Sequence, residues 1–164
     1  MVPQPIRSRS HAWHDPQVVA AAARGLSGRE FLARVVAGEY RAPIQDTLEL
    51  DLAAIGDGAA EYRLTPQEFH FNPAGTLHGG VMATIVDSAM CCAIWTTLPA
   101  GVGVTTMELK IGLLRAVTRE SGTLVCRGSL IQAGQRSAAA EARVHDAAGR
   151  ICAYASTTCM ILRP

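Results

Sequence analysis

Asp87 lies within the apolar run Val81, Met82, Ile85, Val86, Ala89, Met90, Ala93 and Ile94. At helical spacing these residues leave no wide polar face, and a helix that is apolar nearly all round is a buried one. An ionised carboxylate in such a place is costly unless it is paired, hydrogen-bonded or wet. A substrate- or water-filled site beside it removes that penalty, and so does a purely structural set of hydrogen bonds; the two readings stand level. In the first, the carboxylate attacks a carbonyl carbon or takes a proton from an attacking water. Either role needs the ionised form, so burial must not raise its pKa far.

The approach to this run is rich in turn residues: Asn72-Pro73, Gly75 and Gly79-Gly80. A helix N-terminus offers unpaired N–H groups and the positive end of the macrodipole. Glycine there lets another molecule come close to the backbone. The sequence His78-Gly79-Gly80 can therefore polarise a carbonyl under attack, one such donor contributing about 2.7–4 kcal/mol to a transition state. The blander reading is a turn that needs glycine for its dihedral angles. His78 at a helix start suits packing or backbone polarisation better than proton transfer. Asn72 could orient a water or steady the glycine loop.

Distance then decides the assembly. From Gly79 to Asp87 is roughly 12 Å along a helix axis. One carboxylate cannot act on a carbonyl held that far away, so the two groups serve one reaction only if they come from different chains. The sequence predicts a homodimer with two shared sites, which a two-fold interface generates together.

These residues need elements to hold them. Leu48, Leu50 and Leu52 alternate with polar residues as a half-buried strand does. The turn Gly56-Asp57-Gly58 leads into a second alternating stretch with Ala60, Tyr62 and Leu64, making a hairpin. After the helix, residues 103–114 read as a long strand with Thr105, Met107, Leu109, Ile111 and Leu113 on one face and Thr106, Glu108 and Lys110 on the other. Thr105 is thus placed on the face that meets the helix, able to hold a water or bond the carboxylate. Residues 124–131, 137–144 and 151–162 read as three more strands, with turns short enough for an antiparallel meander. One long helix wrapped by a curved antiparallel sheet of about six strands is an α+β layer solution. Met90, Cys91 and Ile94 follow Asp87 at steps of three, four and seven and are expected to line an apolar acyl site.

Ahead of the sheet, residues 1–13 read as a polar arm. Asp15-Pro16 reads as a cap and first helical position, with a helix over 18–23. The sequence Ser27-Gly-Arg-Glu30 forms a capping box for a second helix with Phe31, Leu32, Val35 and Val36 on one face. The expected division is residues 1–44 for this arm with its two short helices, and 45–164 for the sheet-and-helix domain.

Composition excludes several classes. The 164 residues carry a net charge of +1 and 5% aromatic residues, so there is no basic footprint or stacking platform for nucleic acid. Five cysteines without ligand spacing read as small buried hydrophobes, with no metal site. Cys91 and Cys92 are the only ones near the central stretch, with nothing obvious to activate them. There is no secretory h-region at the start, and Asp87 would fall mid-bilayer were residues 81–98 a membrane span. A cytoplasmic location is expected.

At Asn72-x-x-Gly75-x-x-His78-Gly79-Gly80 followed by Asp87, and again at TTMELKIGLLR (residues 105–115), GQRS (134–137) and the turn at 146–149, the sequence resembles the hotdog-fold acyl-CoA thioesterases, in particular their PaaI-like branch. The resemblance spans about residues 27–162. It implies a hotdog fold, dimers joined edge to edge through their sheets, often paired into tetramers, and sites at the subunit boundary. It implies Asp87 as nucleophile or general base, Gly79 as the carbonyl-polarising amide, and Asn72, His78 and Thr105 in support. It implies Arg115, Arg136 and Ser137 as contacts to the CoA moiety, with CoA entering as part of the substrate and no separate cofactor. The competing readings are a non-catalytic acyl-CoA-binding or regulatory module on the same fold, and a hydratase, whose His-plus-carboxylate pairing is not found.

Overall fold

A computed structural model describes residues 5–163. Its axis is α4, Gly79–Trp95, held against a six-stranded sheet. Met82, Ile85, Val86, Ala89, Met90, Ala93 and Ile94 of α4 are buried, which is why the run has no polar face. The strands are β1 (Asp51–Gly56), β2 (Ala59–Leu64), β3 (Gly103–Leu113), β4 (Leu124–Ala133), β5 (Ser137–His145) and β6 (Ile151–Leu162). Every pairing is antiparallel, in the order β1-β2-β4-β5-β6-β3. β4, β5 and β6 form the expected meander. β3 does not lead it: it pairs with β6 and stands at one edge of the sheet, while β4 pairs with β2. No helix among the described residues is long and apolar enough to cross a membrane.

The helix sits very close to the sheet. A methyl group on Gly128 of β4 would lie 2.4 Å from the Ala89 carbonyl oxygen. Thr96, just past α4, donates to the Ala93 carbonyl and accepts from the Gly58 N–H, tying the β1–β2 turn to the helix end.

The alternating leucines before β1 are not all strand. Residues Pro43–Leu48 form a short helix, α3, and β1 begins only at Asp51. Pro43 sets the first turn, and the Gln45 side chain accepts from the Ala42 N–H. Glu49 then takes a left-handed conformation, φ 52°, and stops the helix.

Ahead of it, α1 (Pro16–Arg24) is capped by Asp15 and α2 (Gly28–Val36) by the Ser27–Glu30 box, as the sequence predicts. α2 buries Phe31 and Leu32, whereas Val36 is exposed and does not share their face. Phe31 packs 5.1 Å from Trp95 of α4, ring centre to ring centre. Gly28 is squeezed against the Trp95 carbonyl, so α2 begins where α4 ends. Residues 5–15 have no regular structure but are strapped to the body: Arg9 lies over the Phe69 ring and donates to the Thr47 carbonyl, and His14 bonds Asp46. Residues 1–4 of the expected arm lie outside the described residues.

Candidate active site

The start of α4 is assembled by the loop before it. The Asn72 side-chain oxygen accepts from the N–H groups of Ala74 and Thr76, and its amide donates to the Thr76 hydroxyl. Gly75 at φ 76° closes that turn in a conformation few other residues adopt. His70 is fully buried below it. Its Nδ1 accepts from the Gln67 N–H, so Nε2 carries the hydrogen and donates to the Leu48 carbonyl. Burial lowers the His70 pKa, which keeps the ring neutral. The His70 carbonyl accepts the His78 N–H at 2.9 Å and so sets the direction in which α4 begins.

His78 is the helix cap. Its Nδ1 accepts from the Gly80 N–H at 2.9 Å, the backbone role the sequence favoured over proton transfer. The Gly79 N–H has no partner among the described residues. Beside it opens a cavity of about 220 Å³, lined by Asn72, Thr76, Gly79, Met82, Arg115 and Val117 among others. A donor with nothing to bond, at the positive end of a 17-residue helix, next to an open space, can receive a developing oxyanion.

Asp87 lies two turns further on and is half-buried. Its Oδ1 accepts from the Thr106 hydroxyl at 2.7 Å. Its Oδ2 has no partner among the described residues and is not among their sealed, unsatisfied atoms, so it stays open. One oxygen is anchored and the other is available.

The threonine that meets the carboxylate is therefore Thr106 and not Thr105, which is exposed. The cause is a β-bulge. Thr106 pairs with Cys159 and Glu108 with Thr158, leaving Met107 as an extra residue. Before the bulge the even positions face α4; beyond it Leu109 and Ile111 do. Unbroken alternation predicts the wrong face for everything up to and including Met107, which is exposed.

Two of the expected acyl-site residues also fall elsewhere. Met90 and Ile94 are fully buried in the core, because α4 is pressed onto the sheet on that side. Only Cys91 shares the Asp87 side, with Sγ 3.1 Å from the Thr106 hydroxyl oxygen. Neither neighbouring cysteine is an activated nucleophile: burial pushes the Cys92 thiol up to about 11, and the bond with Cys159, then burial, pushes Cys91 up further.

The three expected CoA contacts divide between the ends of the molecule. Arg115 lines the cavity at the Gly79 end. Arg136 and Ser137 are exposed at the β4–β5 turn. Sheet register places that turn near Asp87: Thr106 is paired with Cys159, and Cys159 with Ala138. One chain thus carries Asn72, His78, Gly79 and Arg115 in one group, and Asp87, Thr106, Arg136 and Ser137 in another. Sequence reasoning missed Thr106, and apart from Arg115 it missed the cavity walls at Met82, Leu113, Leu114, Ala116 and Val117. The Leu113-Leu114 pair at the strand end was their only signal.

The family model of the thioesterase superfamily matches residues 74–153, a span that holds Gly79, Asp87 and Thr106. A solved structure of a conserved protein from Pseudomonas aeruginosa is 30% identical, with a TM-score of 0.70 over 74% of this chain and 95% of that one. A phenylacetic acid degradation-related protein from Ralstonia eutropha is 25% identical, with a TM-score of 0.70 over 78% of this chain and 97% of that one. The PaaI protein of the Escherichia coli phenylacetic acid degradation operon shares the fold, with 17% identity and a TM-score of 0.72 over 84% of this chain and 96% of that one. No curated protein sequence matches the chain significantly. With its central helix, six-stranded antiparallel wrap and these likenesses, the chain belongs to the thioesterase superfamily: a thioester hydrolase on the hotdog fold, resembling the PaaI-like branch.

Proposed function

We propose that the protein hydrolyses an acyl-CoA to the free acid and CoA at two sites, each shared between two copies of the chain. The observation that carries this reading is the split: an unpaired amide beside a cavity at one end of α4, and a carboxylate with one open oxygen roughly 12 Å along it. Each half lacks what the other holds.

The edge strand supplies a way to join them. Among the described residues β3 has an unpaired outer edge eleven residues long, a template for a second copy. Antiparallel pairing centred on Lys110 skips the bulged Met107 and sets Thr106 opposite the partner's Leu113. Glu108 then lies diagonal to the partner's Lys110, a favourable pairing across strands. Leu113 sits against Gly79, where a methyl group would be 3.3 Å from Leu113 Cδ1. This register therefore brings Asp87 toward the partner's Gly79. Two such dimers pairing into a tetramer would leave the sites intact.

In such a site the thioester oxygen accepts from the partner's Gly79 N–H. Asp87 Oδ2 either attacks the carbonyl carbon or takes a proton from a water that does so. The C–S bond breaks, and the CoA sulfur leaves as thiolate and is protonated by solvent. Where Asp87 took a proton it returns it to solvent; where it attacked, water hydrolyses the resulting mixed anhydride, releasing the acid and restoring the carboxylate. Arg115, Arg136 and Ser137 lie where they can meet CoA phosphates and ribose. The walls at Leu77, Met82 and Val117 suit an aryl-acetyl, benzoyl-type or medium-chain acyl group.

The test is complementation. Asp87→Asn and Gly79→Pro protomers, each inactive alone, are mixed under conditions that exchange subunits. Thiol release from phenylacetyl-, benzoyl- and octanoyl-CoA is then followed. Shared sites predict recovery of about a quarter of wild-type activity, since half the dimers are mixed and each holds one intact site. No recovery in verified mixed dimers would sink the shared-site reading.

A further inference from the structure

The hydrogen bonds behind Asp87 have a direction that the carboxylate imposes. An ionised carboxylate can only accept, so the single hydroxyl hydrogen of Thr106 lies on the 2.7 Å line to Oδ1. Thr106 Oγ1 then has only lone pairs to offer its other neighbour, the Cys91 thiol at 3.1 Å. The donor in that contact must be the Cys91 S–H. Behind it, Cys159 Sγ lies 3.7 Å from Cys91 Sγ and 3.7 Å from the Thr157 hydroxyl oxygen. Thr157 already spends its hydrogen on the Glu108 carbonyl at 2.6 Å, so it too can only accept from Cys159. The Cys91 and Thr106 hydrogens therefore point toward Asp87, while the Cys159 hydrogen points away from it, toward Thr157. A thiolate at Cys91 would sit against the Asp87 carboxylate that Thr106 bonds, so the thiol keeps its hydrogen and has it to donate.

We propose that Cys91 is a positioning residue for Asp87, acting through Thr106. By donating to Thr106 Oγ1 it keeps the threonine hydroxyl turned toward Oδ1, which leaves Oδ2 as the reacting atom. This rests on the reading of Asp87 as base or nucleophile. Its place one helical turn after Asp87 makes the contact possible, since residues four apart share a helix face. Removing the donor frees the hydroxyl to rotate to water and loosens the carboxylate. A side chain of similar volume without a donor fills the space and does not restore the direction.

The experiment compares Cys91→Val, Cys91→Ala and Cys91→Ser in the full-length protein. It measures kcat and KM for thiol release from phenylacetyl-, benzoyl- and octanoyl-CoA, with unfolding midpoints alongside. Cys91→Val and Cys91→Ala are expected to lower kcat about three- to tenfold at similar KM, the range set by one modest hydrogen bond. Cys91→Ser, which still donates, should recover most of that loss. In the infrared spectrum the S–H stretch lost in Cys91→Ser should lie at the donor position in wild type and move toward the free position in Thr106→Val. Wild-type kcat in folded Cys91→Val, or a Cys91→Ser as impaired as Cys91→Val, would overturn the proposal. Should the Cys91 variants fail to fold, the band decides alone, and a band unmoved by Thr106→Val overturns it. If Asp87→Asn is inactive while Cys91→Val is normal, only this inference falls; if Asp87→Asn is fully active, the reading of Asp87 falls with it.

Discussion

The first turn of α4 and its middle both lie along β3, yet they handle polar groups in opposite ways. At the first turn the backbone is left wanting: the Gly79 N–H has no partner among the described residues and looks into a cavity. In the middle the polar atoms are linked in a row, from Thr157 and Cys159 through Cys91 and Thr106 to Asp87. One region offers a vacancy for negative charge, and the other holds negative charge still. On the proposed mechanism, the contrast teaches that a helix can carry both halves of a reaction only by keeping them apart. A carboxylate close to its own unpaired amide would bond it and cancel both functions.

The contrast can be broken from either side. Asp87→Asn removes the charge and keeps the shape, and is expected to lower kcat by about 10²–10⁴, read as thiol release, with the fold intact. Unchanged turnover across the acyl-CoA panel would remove Asp87 from the mechanism.

Gly79→Pro deletes the other half. Proline is tolerated at the first helical position, and His78 is already extended, φ −63° and ψ 134°, as a residue before proline must be. The expected loss is about 10²–10³ in kcat, with Gly79→Ala retaining the N–H and most of the rate. Equal rates for the two variants would mean the amide does nothing.

A pair of neighbouring substitutions sharpens the comparison. Thr106→Val should cost about tenfold in kcat, and Thr105→Val almost nothing, because Thr105 is exposed. The reverse ranking would contradict the bulge as the element that selects the threonine.

The smallest effect belongs to the support of the first turn. The His70 pKa is lowered by burial, so the unfolded chain takes up a proton at a higher pH than the folded one. Stability is therefore full above about pH 6.5 and declines as pH falls below it. The unfolding midpoint of His70→Gln should lack that decline between pH 7 and 5.5. An identical pH dependence in both proteins would clear His70 of the effect.

Much of this was legible in the residues. The buried helix follows from the absence of a polar face, and its start from His78-Gly79-Gly80. The caps of α1 and α2 follow from Asp15-Pro16 and the Ser27–Glu30 pair. The misreadings share a physical cause: alternation describes a strand only while its register holds. Leu48, Leu50 and Leu52 alternate across the end of a helix and the start of a strand, and Pro43 and the left-handed Glu49 mark the border that hydrophobicity hides. Through Met107 the alternation of types continues while the backbone slips by one, so nothing in residue types separates Thr105 from Thr106. The cavity walls come from chain segments far apart, around residues 72–82 and 113–117, which no local pattern joins.

Gly128 has a reach larger than its size. With no room for even one methyl group between β4 and the Ala89 carbonyl, the helix rests at the shallowest standoff a backbone permits. Lifting it there would tilt a rigid rod whose tip and midpoint, in the shared-site assembly proposed above, face two different clefts. A single added carbon, remote from both reacting groups, would thus detune every cleft in the assembly at once, by leverage instead of by chemistry.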